Sequence, residues 1–267
     1  MTHMGRITAI DDLARIEAAL DAAAAALAPF TPGTIASRLK EGDDPVTAAD
    51  VAVNEVLQRI LPRPGEGWLS EETVDDPTRL DAERVWVVDP VDGTREFIQG
   101  IPEWCVSIGL VVGGRPVAGG IVSPTAGHRM VGSVDEGVTL DGTPAVVTGC
   151  DRLEGALVLA SRSEVKRGVW APFFATPISV RNMGSVAYKL ACVAAGLADA
   201  TWTLVPKHEW DVAAGAALVV AAGGAVFGPD GEEIRFNQPN PKLPGFVATS
   251  TTLEGPLRDF LKEFRNH

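Results

Sequence analysis

The chain has 267 residues, of which 46% are hydrophobic, with 28 glycines, 19 prolines and a formal net charge of −12. This composition is typical of a globular α/β protein rather than a disordered chain, and no apolar run is long enough to span a membrane. The acidic balance argues against binding a nucleic-acid polymer through a basic surface, and three widely spaced cysteines argue against a disulfide framework or a zinc cluster.

Two helices are predicted at the start of the chain. Acidic residues close behind the N-terminus do not fit a signal peptide, so we expect a cytoplasmic protein. Apolar residues at helical spacing predict a helix over about residues 11–27 and a second one from about Thr47 to residue 61. Residues 31–46 between them form a polar, glycine-containing link.

The rest of the chain is predicted to change from strands to alternating strands and helices. Short β-branched runs predict a meandering, antiparallel sheet with strands at 85–88, 105–112, 117–123 and 128–131. After residue 150 the pattern predicts strands at 156–160, 200–204 and 245–249 and helices at 186–195, 212–222 and 253–264. We therefore predict an α/β (α+β) fold with two halves, residues 1–150 and 151–267, packed into one compact unit.

The run Asp89-Pro90-Val91-Asp92-Gly93-Thr94 is the strongest chemical signal. Two carboxylates three residues apart at the end of a buried strand suit a hard cation, because Mg²⁺ prefers oxygen ligands and substrate phosphates. The following Gly-Thr can turn backbone N–H groups towards the same phosphate. Taken alone, the run is also compatible with an ordinary Asp/Pro/Gly turn.

Three further acidic positions have structural alternatives when each is taken alone. Glu71, followed by Glu72, either binds a metal or belongs to a solvated acidic loop. Asp211 either belongs to a site or favours the positive end of its helix. Asp50 is the third residue after Thr47, which is the spacing of a helix capping box.

The order of these motifs resembles the inositol monophosphatase superfamily of Mg²⁺-dependent, lithium-sensitive phosphatases. The resemblance covers nearly the whole chain and rests on five motifs in order: Lys40 with residues 45–50 (Pro-Val-Thr-Ala-Ala-Asp), residues 69–72 (Leu-Ser-Glu-Glu), residues 86–94 (Trp-Val-Val-Asp-Pro-Val-Asp-Gly-Thr), Gly184-Ser185 with residues 193–196, and residues 209–215 (Glu-Trp-Asp-Val-Ala-Ala-Gly). It implies a layered α/β/α/β/α sandwich.

The resemblance also implies a set of metal ligands. Glu71, Asp89 and the backbone carbonyl of Val91 would bind one Mg²⁺. Asp89, Asp92 and Asp211 would bind a second. A third, weaker ion would lie near Glu71, giving two or three ions per site.

Catalytic and phosphate-binding roles follow from the same resemblance. Asp50 and Thr94 would orient and deprotonate the attacking water, with Glu71 assisting. The amides of Gly93 and Thr94 would hold the phosphate, and the segment around Lys40 would close over the site. Two bound metals and positioned donors suffice for phosphoryl transfer to water, so no nucleophilic Ser or Cys is required.

The substrate is predicted from a few cations. Arg95 with the following Glu-Phe, and Lys189 shortly after Gly184-Ser185, resemble the branch that hydrolyses 3′-phosphoadenosine 5′-phosphate. A cation there can contact a second phosphate, although both residues are equally compatible with a helix surface. The predicted substrate-binding residues are Lys40, Gly93, Thr94, Arg95, Ser161, Arg162, Gly184, Ser185 and Lys189.

The sequence therefore predicts a Mg²⁺-dependent phosphomonoesterase acting on a small phosphorylated substrate. The leading hypothesis is a 3′(2′),5′-bisphosphate nucleotidase. The alternative is an inositol-1-phosphate or related sugar, polyol or histidinol phosphatase, and a more distant one is a non-catalytic ligand-binding protein of the same fold. No membrane or nucleic-acid polymer is expected as a partner. Relatives are often dimers, so a homodimer stays open.

Overall fold

The structure is a computed structural model that describes residues 3–39 and 45–264. The described residues form seven α-helices: α1 (His3–Leu27), α2 (Ala48–Ile60), α3 (Thr94–Gln99), α4 (Arg162–Lys166), α5 (Val186–Ala194), α6 (Glu209–Ala221) and α7 (Thr251–Phe264). Short 3₁₀ helices lie at Pro77–Asp81 and Ala171–Ala175. None of the described helices is long and apolar enough to cross a lipid bilayer.

The strands form two principal sheets and two small antiparallel pairs. One pair consists of β1 (Ser37–Leu39) and β2 (Pro45–Thr47). The larger sheet has the order β3 (Gly67–Ser70), β4 (Arg84–Asp92), β5 (Cys105–Val112), β6 (Arg115–Ser123), β7 (His128–Ser133), β8 (Gly137–Leu140) and β9 (Thr143–Ala145). The smaller sheet contains β10 (Leu157–Ser161), β11 (Ser179–Met183), β12 (Ala200–Thr203), β14 (Gly224–Phe227) and β16 (Phe246–Ser250), in the order β11-β10-β12-β16-β14. The other pair is β13 (Lys207–His208) with β15 (Lys242–Leu243).

Three hydrophobic clusters hold these elements in five layers. Helices α1 and α2 pack on one face of the larger sheet, around Trp86 and Ile108. Helices α5 and α6 lie between the two sheets, with Leu190 and Leu218 in the central cluster. Helix α7 covers the outer face of the smaller sheet beside Trp202. The predicted α/β/α/β/α sandwich is confirmed.

Helix α6 packs against the larger sheet at backbone contact distance. A Cβ atom added to Gly119 on β6 would lie 2.5 Å from the carbonyl oxygen of Ala214, and one added to Gly109 on β5 would lie 2.8 Å from the Ala214 amide nitrogen. Because the sheet carries no side chain at these two positions, the helix can approach closely. This contact fixes the N-terminal end of α6, which carries Asp211, relative to the larger sheet.

The structure corrects several predicted elements. Helix α1 begins at His3 rather than residue 11, and α6 begins at Glu209 rather than Val212 because His208 caps it. The predicted polar link at 31–46 contains β1 and the start of β2. The meander is not wholly antiparallel, since β3 pairs with β4 in parallel. The sequence patterns did not predict β8, β9, β11 or β14.

Candidate functional site

One cavity of about 390 Å³ lies where the end of β4 meets the N-terminal ends of α5 and α6. It brings together thirteen of the predicted site residues: Glu71, Asp89, Val91, Asp92, Gly93, Thr94, Arg95, Ser161, Arg162, Gly184, Ser185, Lys189 and Asp211. Asp50 lies behind Thr94, to which it is hydrogen-bonded. Lys40 lies outside the described residues. Below, we call this cavity the cleft.

Each of the three aspartates in the cleft has one carboxylate oxygen that is hydrogen-bonded by the protein. Asp89 Oδ1 accepts a hydrogen bond from the Val91 amide at 3.0 Å. Asp211 Oδ2 accepts one from the His208 amide at 3.0 Å, in the capping box that starts α6. Asp92 Oδ2 accepts hydrogen bonds from the Ser185 hydroxyl at 2.7 Å and from the Ala187 amide in the first turn of α5. The second oxygen of each accepts no hydrogen bond from the described residues and stays available to a ligand in the cleft.

The electrostatics of these carboxylates favour a bound cation. Burial raises the pKa of Asp89 well above its usual range, and repulsion from Glu71 and Asp92 adds to this shift. Burial and then repulsion from Asp92 raise the pKa of Asp211 in the same way. Buried like charges this close are unfavourable unless positive charge neutralises them.

The donor set fits Mg²⁺ by its chemistry. The candidate donors are hard carboxylate oxygens with a carbonyl oxygen, the type that Mg²⁺ and Ca²⁺ select. In the described part of the chain, no three acidic, His or Cys residues already converge into a closed metal-binding cluster. Mg²⁺ does not require one, because it usually keeps several waters and takes only one or two protein carboxylates along with substrate phosphate.

Asp50 connects helix α2 to the cleft. Its Oδ2 accepts hydrogen bonds from the Thr47 amide at 2.8 Å and the Thr47 hydroxyl at 2.6 Å, which completes a capping box. Its Oδ1 accepts a hydrogen bond from the Thr94 hydroxyl at 3.1 Å. Burial raises the pKa of Asp50, while the hydrogen bonds from Thr47 act in the opposite direction. The carboxylate therefore has a structural partner on one side and a site residue on the other.

The cations around the cleft differ in what already binds them. The guanidinium of Arg162 contacts Glu103 Oε2, and its Nε lies 3.7 Å from Glu96 Oε1. Lys189 is 2% exposed, and its Nζ donates to the Ser185 carbonyl at 2.5 Å. Lys189 forms no ion pair within 4.0 Å in the described ranges, although the Asp92 carboxylate of the same cleft attracts its charge. Arg95 is exposed at the rim.

Lys207, His208 and Trp210 also line the cleft, although the sequence did not single out Lys207. His208 and Trp210 stack with ring centroids 4.4 Å apart and an interplanar angle of 15°. The only local signal for Lys207 is its position four residues before Asp211. Its ion-pair partner, Glu164, is remote in sequence and therefore gave no pattern.

Comparisons with known proteins agree with this arrangement. A sequence model described as "Inositol monophosphatase family" matches residues 8–261. A "3′-phosphoadenosine 5′-phosphate phosphatase" from Mycobacterium leprae is 33% identical over 230 residues, covering 81% of this chain and 82% of that protein. An "Inositol monophosphatase" from Mesembryanthemum crystallinum is 32% identical over 202 residues, covering 71% of this chain and 75% of that one.

A solved structure extends the similarity to three dimensions. The inositol monophosphatase from Anabaena (Nostoc) sp. PCC 7120 is 29% identical, with a TM-score of 0.77 over 94% of this chain and 95% of that chain. The family is typically Mg²⁺-dependent, and the oxygen atoms that line the cleft are donors that suit this ion. This chain therefore belongs to the inositol monophosphatase family and is a phosphoric monoester hydrolase.

Proposed function

We propose that this phosphatase hydrolyses 3′(2′),5′-bisphosphate nucleotides, converting 3′-phosphoadenosine 5′-phosphate to AMP and phosphate. The observation that carries the proposal is Lys189, a buried cation in the wall of the cleft that also holds the carboxylates of Asp89, Asp92 and Asp211. Among the described residues, only the Ser185 carbonyl accepts from one of its three N–H donors. A substrate with a second phosphate gives the remaining donors a partner, and charged hydrogen bonds of this kind are strong.

The metal ligands in this proposal are those lining the cleft. Glu71, Asp89 and the Val91 carbonyl would hold one ion, and Asp89, Asp92 and Asp211 a second, with a third, weaker ion near Glu71. When bound, Mg²⁺ supplies neutralisation of the phosphate charge and a lowered pKa for the attacking water. The free oxygens of the three aspartates support this assignment.

Thr94 and Asp50 are suited to moving the proton of the attacking water. The Thr94 hydroxyl points its proton between Asp50 Oδ1, at 3.1 Å, and the Val91 carbonyl oxygen, at 3.0 Å. A hydroxyl also accepts hydrogen bonds, so Thr94 Oγ1 can take a proton from water while its own passes to Asp50. Thr47 anchors the other oxygen of Asp50 and keeps Oδ1 facing Thr94.

The second candidate is an inositol or related polyol phosphatase. It is favoured by the state of Arg162, whose guanidinium is already engaged by Glu103 and Glu96 and is therefore less available to a second phosphate. The plant relative named inositol monophosphatase, at 32% identity, supports the same candidate, whereas the mycobacterial relative named for the nucleotide phosphatase, at 33%, supports the first. Both candidates use the same metal site and the same water chemistry.

The test is phosphate release with Mg²⁺ from 3′-phosphoadenosine 5′-phosphate, inositol 1-phosphate, fructose 1,6-bisphosphate and histidinol phosphate, compared by kcat/KM. We expect the nucleotide to be preferred, and Lys189→Gln to raise its KM about tenfold or more with a smaller effect on inositol 1-phosphate. Lys262→Gln, an exposed position on α7, is the matched control and should change neither. A wild-type preference for inositol 1-phosphate would transfer the proposal to the polyol class.

A further inference from the structure

Lys207 lines the cleft, as does the exposed Lys242 of the same β13–β15 strand pair. Lys207 lies on β13, and its side chain is 15% exposed. Its Nζ lies 3.0 Å from Glu164 Oε1, which is its one ion-pair partner in the described ranges. Since an ammonium group has three N–H donors, two remain for a group bound in the cleft.

Glu164 is built into the fold behind Lys207. The Glu164 side chain is fully buried. The Trp170 indole donates to its Oε2 at 3.1 Å, and the Thr203 hydroxyl donates to its Oε1 at 2.6 Å. A buried carboxylate is unfavourable unless it is both hydrogen-bonded and paired with a cation, and Lys207 provides that cation. The pair is therefore oriented, with its negative end in the core and its positive end in the cleft.

The cleft also holds Lys189, and the two lysines influence each other. Burial lowers the pKa of Lys189, and repulsion from Lys207 lowers it further, against the attraction of Asp92. Asp92 already attracts both lysines, and an anionic group bound in the cleft that they line adds a further favourable partner. Arg162 differs from the two lysines, because two carboxylates, Glu96 and Glu103, already form ion pairs with its guanidinium.

We infer that Lys207 binds the second anionic group of the substrate together with Lys189, and that Glu164 is a positioning residue that holds Lys207 in place. The inference rests on the proposed function in one respect, since it requires a phosphate ester that carries a second phosphate. A phosphate has three oxygens that can accept charged hydrogen bonds from both lysines at once. Neither lysine is among the proposed metal ligands, so we expect Lys207 to act mainly on the choice of substrate.

The experiment compares esters that differ only in the second phosphate, with the full-length enzyme and saturating Mg²⁺. The pairs are 3′-phosphoadenosine 5′-phosphate against adenosine 3′-phosphate, and fructose 1,6-bisphosphate against fructose 1-phosphate. We expect Lys207→Gln to lower the bisphosphate-to-monophosphate ratio of kcat/KM about tenfold or more, with the loss in KM rather than kcat. Lys207→Arg should restore most of the ratio. Glu164→Gln should lower it in the same direction.

The matched control is Lys166→Gln, which makes the same charge change on α4 but at an exposed position outside the cleft. It should keep the wild-type ratio. Thermal melts of every variant check folding. If Glu164→Gln does not fold, the comparison of Lys207→Gln with Lys207→Arg still tests the inference. We expect Lys207→Gln to fold, because glutamine can donate a hydrogen bond to the buried Glu164.

The outcomes separate this inference from the proposed function. An unchanged ratio in Lys207→Gln, or an equal loss on both members of each pair, overturns the inference and leaves the nucleotidase proposal standing. A wild-type preference for the fructose bisphosphate alone overturns the nucleotidase proposal, and Lys207 stands if its variant lowers that preference. A wild type that prefers neither bisphosphate overturns both.

Discussion

Asp50 allows the capping and catalytic explanations of one residue to be separated. Its Oδ2 is bound by Thr47 in the capping box of α2, and its Oδ1 is bound by Thr94. Asp50→Asn keeps the size of the side chain but turns one oxygen into an NH₂ group that cannot accept a hydrogen bond. The amide also cannot take up a proton at the pH of the assay. The substitution therefore weakens a cap and removes the proposed proton acceptor together.

The two explanations differ in magnitude. Removing a positioned general base lowers kcat by about 10²- to 10⁴-fold, or roughly 3–5 kcal/mol. Losing a helix cap costs about 0.5–2 kcal/mol of stability. Part of that loss is offset, because burial raises the pKa of Asp50, which means that the ionised carboxylate is unfavourable where it stands. We expect a net loss of about 1 kcal/mol or less, which corresponds to a Tm shift of a few degrees.

The assay is kcat from phosphate release at saturating Mg²⁺, with thermal melts on the same preparations. Asp76→Asn is the matched control, since Asp76 caps the 3₁₀ helix at 77–81 through a 3.0 Å hydrogen bond from the Thr78 amide but is solvent-exposed. It should cost little stability, because asparagine also caps a helix, and should leave kcat unchanged. Thr94→Val should lower kcat as Asp50→Asn does, and the double variant should be little worse than either. A kcat within about threefold of wild type in Asp50→Asn would refute the proton-transfer role and leave only the cap.

Three further predictions concern the ions and the scaffold. Removing divalent cations with a chelator should abolish phosphate release, and Mg²⁺ should restore it; activity that survives dialysis against the chelator would contradict the metal assignment. Burial alone would raise the pKa of Glu66, but hydrogen bonds from Arg15 and Trp86 outweigh it and lower the pKa to about 2. The ionised Glu66 carboxylate therefore stabilises the fold by about 1–2 kcal/mol, after a discount for solvent screening. This stabilisation is complete above pH ~5 and is lost as the pH falls towards 2. Urea denaturation at pH 7 and pH 3 should show the loss in wild type and not in Glu66→Gln. Gly119→Ala should destabilise the fold by about 1–3 kcal/mol, because its Cβ would meet the Ala214 carbonyl at 2.5 Å; a wild-type Tm would show that α6 can move away.

The sequence predicted the central elements better than the edges. Strands β4, β5 and β6 are buried and apolar along most of their length, so composition alone marks them. Of the missed strands, β9, β11 and β14 are edge strands, which pair on one side only, whereas β8 is a four-residue strand between β7 and β9. Edge strands are short and carry polar side chains, as the mostly exposed β11 does, and therefore have a weak pattern.

At the site, the structural and the functional interpretations of an acidic residue, which are alternatives in the sequence, are compatible in the structure. Asp50 and Asp211 both occupy the third position of a helix and both complete a capping box. A carboxylate has two oxygens, so one can cap the helix while the other faces Thr94 or the cleft. The position of Lys207 could not be predicted, because Glu164, which orients it, lies on a different element and is linked to it only through the fold.

Ser185 links Lys189, a proposed substrate-binding residue, to Asp92, a proposed metal ligand. Its backbone φ is +54°, a conformation that a non-glycine residue adopts at a cost of about 1–3 kcal/mol. Hydrogen bonds hold it there: its hydroxyl donates to Asp92, accepts from the Tyr188 amide and contacts the Cys105 thiol, and its carbonyl accepts from Lys189. Replacing Lys189 therefore also disturbs the residue that orients a proposed metal ligand, so some of its effect should appear in kcat. Within the described ranges Lys207 donates no hydrogen bond to Ser185 or to a proposed metal ligand, and its charge alone acts to lower the pKa of Asp92 and Asp211. Replacing Lys207 should therefore disturb kcat less than replacing Lys189, and it gives the cleaner measure of how much the second phosphate contributes to recognition.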